Sequence, residues 1–433
     1  LEPHPFLATE YRGLPVDKRN DYLHSQITFK TPEGPLDFAG WPSSKDRYAI
    51  LSSGGKDSLL TFGLLGELGS EAHPIFLNES GRHWFTAVNA HRQFRRSVPN
   101  TCRVWTNSDR MFSWMLRHLA FIRPDFQSLR ADEYPIRLWT VAVFLFGALP
   151  IVRKRRIGRL LIGDEYDTTV RTSHQGIPHY DGLFDQSRYF DHAMSRYFGS
   201  KGWSLTQHSI LRPLSEFLIQ KTLAHRYPEL LKLQVSCHAA HEEDGRMRPC
   251  GRCEKCRRIV GMLLAAEVDP GICGYRPDQV ESIRLYLVER GVHQEAVAAR
   301  HLAHLLAERG LIPEPRIGKI RGRPEPEAVR LRFHDEKSPV DEVPLAIRQP
   351  LFEILLTHAE GAIRRVGRSW AEFDPLSDPD LNKPYRYDRA FPRFRPTRRE
   401  SVKRDDELGF DWGELSWPSA KRSLESVDIA LLP

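Results

Sequence analysis

Three short segments in series constrain this chain more than any other feature: Tyr48-Ala49-Ile50-Leu51, then Ser52-Ser53-Gly54-Gly55-Lys56-Asp57-Ser58, then Leu59-Leu60-Thr61-Phe62-Gly63-Leu64-Leu65. They read as strand, phosphate loop and helix. Two adjacent glycines admit backbone conformations closed to other residues. Several N–H groups can then converge on an anion at a helix N-terminus, where the dipole also favours negative charge. Ser53 and Ser58 add hydroxyl donors, and Asp57 adds a carboxylate suited to Mg²⁺. The familiar G-x-x-x-x-G-K-[ST] loop is excluded, because position 50 is Ile and Asp57 follows Lys56.

Downstream, strands and helices alternate. Apolar patterning predicts strands at 73–78, 103–106 and 159–163. It predicts helices at 59–68, 84–94, 111–122 and 134–149, the last closing at Pro150. This alternation predicts an α/β fold, a doubly wound parallel sheet with helices on both faces and ligands at the carboxyl ends of the strands. Asp164, Glu165 and Asp167 directly follow the fourth strand, which makes them candidates for Mg²⁺ or substrate contact; a solvated acidic turn is the competing reading. Residues 171–197, with turn signals at Gly176-Ile177-Pro178 and Asp181-Gly182, read as a lid or substrate loop. Arg212-Pro213-Leu214-Ser215-Glu216 opens a helix with Pro213 early and Glu216 in the first turn. Arg212 can reach a phosphate or carboxylate bidentately, or pair with Glu216.

Cys237, Cys250, Cys253 and Cys256 form C-x12-C-x2-C-x2-C. Four thiolates at this spacing suit one tetrahedral Zn²⁺, and a closed four-sulfur site is structural because no coordination position is left open. An iron–sulfur cluster is the alternative. Cys102 and Cys273 read as packing residues.

S-G-G-x-D-S at Ser53–Ser58 is the signature of the N-type ATP pyrophosphatases, the PP-loop superfamily, and the chain resembles that superfamily there at every motif position. The resemblance implies an adenine nucleotide alpha hydrolase-like fold and cleavage of ATP to AMP and pyrophosphate. It assigns nucleotide contact to Ser53, Gly54, Gly55, Lys56, Asp57 and Ser58; Asn78-Glu79-Ser80, just past the second strand, lies where the adenine or ribose would be held. Pairing this loop with C-G-x-C-x-x-C resembles the 7-cyano-7-deazaguanine synthases (QueC), which implies amide- or nitrile-forming ligase chemistry with Lys56, Asp57, Asp164 and Glu165 as catalytic candidates. The run Ile210–Phe217 leading to Cys237 is also similar to the ATP-dependent muramoyl-peptide glutamate epimerases (MurL). Both likenesses span about residues 46–266. The deazaguanine synthases, however, lack a long C-terminal extension, and their substrate-binding segment is replaced here by Gly163-Asp164-Glu165-Tyr166-Asp167. A tRNA-modifying enzyme and a non-catalytic, nucleotide-dependent assembly protein are the other readings.

At 433 residues, with 40% hydrophobic and 27% charged side chains, the chain suits a large α/β domain with an accessory region. The expected division is an N-terminal arm at 1–45, the ATP pyrophosphatase domain at 46–270, a helical extension at 271–312, and a C-terminal helix with a wrapping tail at 313–433. Within the last part, 344–366 reads as one amphipathic helix ended by Gly367, and 313–326 as a linker or wrapping strand. The run Lys383–Pro396 alternates basic and aromatic residues; it latches onto its own domain or stacks on unpaired bases. A net charge of +7 permits nucleic-acid contact without requiring it. The expected partner is a small-molecule or peptide carboxylate, with a homo-oligomer left open. The longest apolar run, 141–152, reads as a buried helix too short to span a bilayer, and no leader is legible, so a reducing cytoplasm is expected.

Overall fold

Nine residues, Ser44–Ser52, form strand β1, and its alternating side chains decide the layering: Tyr48 and Ile50 enter one apolar cluster, Ala49 and Leu51 another. The computed structural model describes residues 6–13, 40–128, 140–174, 177–180, 182–292 and 295–388. Helix α1 (Lys56–Glu67), β2 (Glu71–Asn78), α2 (Trp84–Ser97), β3 (Cys102–Trp105) and α3 (Ser108–His118) follow in order. Next come α4 (Thr140–Lys154), β4 (Ile157–Leu161), the hairpin β5 (Arg171–His174) and β6 (Ile177–Tyr180), α5 (Arg188–Ser200) and β7 (Thr206–His208). Five strands form one sheet in the order β3-β2-β1-β4-β7, every pair parallel. Leu59, Leu64, Ala90 and Phe94 from α1 and α2 cover one face; Leu145, Ala148 and Val152 of α4 and Phe198 of α5 cover the other. This is the α/β sheet with helices on both faces that the alternation predicts.

After the sheet come α6 (Glu216–Arg226), α7 (Pro228–Leu231), the hairpin β8 (His241–Glu243) and β9 (Arg246–Arg248), and α8 (Glu254–Ala265). Helices α9 (Pro277–Arg290) and α10 (Ala296–Glu308) form the helical extension, with Pro277 in the first turn of α9. The apolar cluster under α1 continues through Ile283, Leu302 and Leu306 to Leu351 and Leu381. Among the described residues, no helix is long and apolar enough to cross a membrane.

Several elements differ from the sequence reading. Pro150 does not close α4, which continues to Lys154. Phe146, whose carbonyl loses its usual partner to the proline, lies on the exposed side. Helix α4 is partly exposed rather than wholly buried, with Leu145, Ala148, Leu149 and Val152 on its buried side; residues 134–139 lie outside the described residues. The last part of the expected lid, 188–197, falls in α5, which is packed by its buried Phe190 and Phe198 and capped by Ser187 accepting from the Phe190 N–H. Pro213 precedes α6 instead of opening it; Ser215 is the cap, accepting from the Leu218 N–H. The expected helix over 344–366 is α11 (Leu345–Leu356) followed by a strand.

That strand belongs to a small sheet, β12 (Leu331–Phe333), β13 (Ala362–Val366) and β14 (Ser369–Phe373), preceded by the two-residue strands β10 (Arg316–Ile317) and β11 (Ile320–Arg321). Gly367, expected as a helix end, sits in the β13–β14 turn. Tyr385 and Tyr387 are buried, so the start of the basic-aromatic run packs on its own domain; 389–396 lie outside the described residues.

Candidate active site

The loop after β1 has the geometry its glycines imply. Gly54 has φ +72°, and a Cβ there would stand 2.5 Å from the Thr86 carbonyl oxygen, so no other residue fits. Gly55 precedes α1 and offers no capping side chain, which leaves the first N–H groups of the helix for a ligand. Ser58 Oγ donates to the Gly55 carbonyl at 3.2 Å and fixes the turn.

Two clefts meet at this loop. One, of about 620 Å³, has an apolar wall of Leu51, Leu77, Phe112, Val141, Phe144 and Ile162 at the carboxyl ends of the strands. The other, of about 950 Å³, is polar and includes Lys56, Glu165, Glu216, Arg258 and Glu295. Ser53, Asp57, His83, Gly163, His238 and Lys255 border both, so the loop is where the two communicate.

Lys56 opens α1 and is 7% exposed. Its Nζ lies 2.8 Å from Asp57 Oδ1 and 3.3 Å from Glu216 Oε1. Burial disfavours the ammonium, but Asp57, Glu216 and Glu165 hold its pKa above the ordinary lysine range. Asp164 and Glu165 diverge: Asp164 borders the apolar cleft and Glu165 the polar one. Burial raises both carboxyls, Asp164 well above its ordinary value against the opposing pull of Arg212, and Glu165 to about 7 against that of Lys56. Glu295 is pushed up to about 8 by burial and by the neighbouring Glu216.

Arg212 does not border either cleft. It is 1% exposed and donates to Asp191 Oδ2 at 2.7 Å and Thr168 Oγ1 at 2.7 Å, with Asp164 Oδ2 at 3.5 Å. It therefore organises the 164–169 loop from behind, and its acidic partners are Asp191 and Asp164 instead of Glu216. Asp167 is engaged as well: both its oxygens accept from Arg332 on β12, at 2.9 and 2.5 Å. Asn78 accepts from the Ser80 N–H at 2.9 Å and is not part of the cleft wall.

Its neighbour Glu79 is part of that wall. Glu79 is 3% exposed, and neither of its oxygens has a hydrogen-bond partner among the described residues; His83 Nδ1 lies 3.6 Å away. An orphaned carboxylate at a strand end is the group most in need of a hydrogen-bond donor from a ligand. Glu79 carries a sequence signal, its position just past β2. Glu295 and Arg258 carry none, because only the packing of α8 and α10 brings them to the loop.

The four cysteines converge, with ligand atoms all within 4.8 Å of one another. Cys253 Sγ lies 3.6 Å from Cys237 Sγ and 3.5 Å from Cys256 Sγ, and Cys250 Sγ lies 3.8 Å from Cys256 Sγ. Sulfurs about 2.3 Å from a tetrahedral ion stand roughly 3.8 Å apart, so the set fits one ion such as zinc. Gly251, at φ +69°, makes the tight turn between Cys250 and Cys253. His238 follows Cys237 and Lys255 precedes Cys256, and Lys255 Nζ lies 3.1 Å from His238 Nε2. The cysteine knuckle thus presents both side chains to the junction of the clefts. Cys273 is buried, and Cys102 packs beside the sheet.

No family model matches the chain, and no curated protein matches its sequence.

Proposed function

We propose that this chain is an AMP-forming enzyme that splits ATP between its α- and β-phosphates and adenylates a carboxylate or carbonyl oxygen of a small-molecule or peptide substrate. The observation that carries the reading is the junction: an S-G-G-x-D-S loop with uncapped helix N–H groups beneath an apolar cleft on one side and a charged cleft on the other. The base lies against Leu77, Phe112 and Phe144, with Glu79 accepting from its amino group or from the ribose hydroxyls. The phosphates lie on the loop N–H groups, Ser53 and Ser58.

The substrate oxygen approaches from the polar cleft and attacks the α-phosphorus, and Lys56 stabilises charge on the departing pyrophosphate. Mg²⁺ held by Asp57 would neutralise the phosphate oxygens when bound. Glu165, with its carboxyl poised near neutrality, takes the proton from the amine that displaces AMP, as amide formation by a deazaguanine-synthase-like ligase requires. Cys237, Cys250, Cys253 and Cys256 would hold a Zn²⁺, which would fix the knuckle that carries His238 and Lys255. The short sulfur separations favour one ion over a cluster whose cysteines bind different irons.

The test is mass spectrometry of products after incubation with ATP, Mg²⁺ and a panel of 7-carboxy-7-deazaguanine with ammonium, muramoyl dipeptides and bulk tRNA, with Asp57→Ala as control. AMP and pyrophosphate appearing with one substrate, and absent in the variant, is the expected result. Absence of AMP with every member of the panel counts against this substrate range, and tight ATP binding without turnover favours the assembly-protein reading.

A further inference from the structure

Between residues 81 and 118 the chain carries seven arginines, no lysine and a single acid, Asp109. The structure gathers four of them, Arg92, Arg95, Arg96 and Arg103, around a groove of about 560 Å³ between α2 and β3, with Trp84 and Phe85 in its wall. This groove shares no wall residue with either cleft of the candidate active site. Arg92 is paired with Glu242 at 3.0 Å. Arg95, Arg96 and Arg103 are exposed, and among the described residues none of them makes an ion pair. Arg103 lies over the Trp84 ring, 5.8 Å from its centroid.

His91, also in the groove wall, reports the local field: burial lowers its pKa first, and Arg103, Arg95 and Arg92 each lower it further. Beyond the groove, β3 is the edge strand of the sheet, and Trp105, on the same face of the strand as Arg103, is 70% exposed. Phe85 is 38% exposed and Trp114, on α3, is 45% exposed. Phe85 and Trp105 thus present ring surface to water next to arginines that make no ion pair among the described residues.

We propose that the α2–β3 face binds an unpaired nucleic-acid strand. Arg92, Arg95 and Arg96 stand at helix positions three and four apart, where neighbouring side chains project about 5–6 Å from one another along one face, and so can follow a run of backbone phosphates. Guanidinium planes and indole rings both stack on bases, a match that lysines would not supply. A duplex hides its base faces, so Phe85 and Trp105 select single strands or loops.

The experiment is fluorescence anisotropy of the full chain with labelled single-stranded RNA and DNA of about 20 nucleotides, long enough to fill one such site, and with the matching duplex, over a salt series. Single strands are expected to bind more tightly than duplex, with affinity falling steeply with salt. Arg95→Glu/Arg96→Glu/Arg103→Glu should weaken binding at least tenfold and flatten the log–log salt slope by about 2, from roughly 0.7 per lost phosphate contact. Trp105→Ala, which removes no charge, should weaken single-strand binding while leaving the salt slope unchanged. Both variants should melt with the parent and keep its ATP turnover, since every substituted side chain is exposed and none lines either cleft.

Equal affinity for duplex, no binding at low salt, or binding unaltered in the triple variant would each overturn the proposal. So would loss, in that variant, of binding to phosphatidylserine vesicles or polyglutamate while oligonucleotide binding persists. Because ATP turnover is read in the same variants, failure here is separable from failure of the adenylation reading.

Discussion

Substituting Glu342 tests how the C-terminal part holds helix α5 of the sheet domain. The Glu342 side chain is 5% exposed, and its oxygens accept from Arg188 Nη2 at 2.7 Å, Arg188 Nε at 2.8 Å and His192 Nε2 at 2.8 Å. Arg188 and His192 are one turn apart on α5, so a single carboxylate fastens that helix to the segment before α11. Burial alone would raise the carboxyl, but the His192 and Arg188 hydrogen bonds and charges outweigh it and bring the pKa from 4.5 to about 2. At 1.36 kcal/mol per tenfold change in proton affinity, that drop corresponds to about 3 kcal/mol of stability at pH 7. Because the folded-state pKa is depressed, the contribution is complete above the unfolded value near 4.5 and declines as pH falls toward 2. About 1 kcal/mol remains at pH 3.

Glu342→Gln keeps the volume, loses the charge and leaves Arg188 buried without its counter-ion, a change of the class that costs about 3–5 kcal/mol. Urea denaturation followed by tryptophan fluorescence at pH 7 and pH 3 is the assay. The expected result is a gap of about 3 kcal/mol between parent and variant at pH 7, shrinking to about 1 kcal/mol at pH 3. A variant within about 1 kcal/mol of the parent at pH 7, or a gap that does not change with pH, refutes the reasoning.

Four further outcomes are expected. Gly54→Ala forces a side chain into a left-handed conformation at a cost of about 1–2 kcal/mol and against the Thr86 carbonyl, so pyrophosphate release should fall at least a hundredfold while metal content, read by mass spectrometry, stays at the parent level. Lys56→Ala should lower pyrophosphate release by about a hundredfold or more, and unchanged turnover would remove Lys56 from the phosphates. Turnover of the parent should rise with pH through about 7 as Glu165 ionises, and the profile of Glu165→Gln should be flat across that range. The purified protein should carry one zinc per chain, and Cys253→Ser should lose that metal and lower the melting temperature, while chelation should lower the melting temperature of the parent but not of the variant; a parent free of zinc would refute the site.

What the sequence revealed depended on how local the cause was. The loop between β1 and α1 was legible because its residues are contiguous and Gly54 marks a conformation others rarely adopt. The cysteine site was legible because short spacings alone bring three sulfurs together. Arg212 reads from sequence as a phosphate or carboxylate contact or a partner of Glu216; its actual partners were not legible, because Asp191 lies in a segment that reads as a lid and Thr168 in the loop after the fourth strand. Propensity misled at 344–366, where Ala362 and Ile363 continue a helical apolar pattern yet pair with Leu331 and Arg332, an alignment of strands thirty residues apart that no local window contains. Gly367 carried the right signal for a chain reversal and was read as a helix stop because both features use the same left-handed glycine.

The two clefts draw on different parts of the chain, and that division bears on specificity. Every described wall residue of the apolar cleft lies between Leu51 and Lys255, on the sheet ends, their helices and the cysteine knuckle. The polar cleft adds Val292, Glu295, Ala296 and Ile320, all C-terminal to the cysteine knuckle, in the extension formed by the helical and C-terminal parts taken together. The extension also grips the sheet's own loops: Arg332 holds Asp167, Glu342 holds Arg188, and Asp388 pairs with the buried Arg159 of β4. The glycine loop after β1 and the apolar wall are complete without these contacts. Under the adenylation reading, then, nucleotide chemistry belongs to the sheet and substrate choice to the extension. Glu295→Gln should accordingly change the KM for the second substrate and leave ATP affinity, measured by calorimetry, unaltered; a matching loss of ATP affinity would show that the two clefts act as one site.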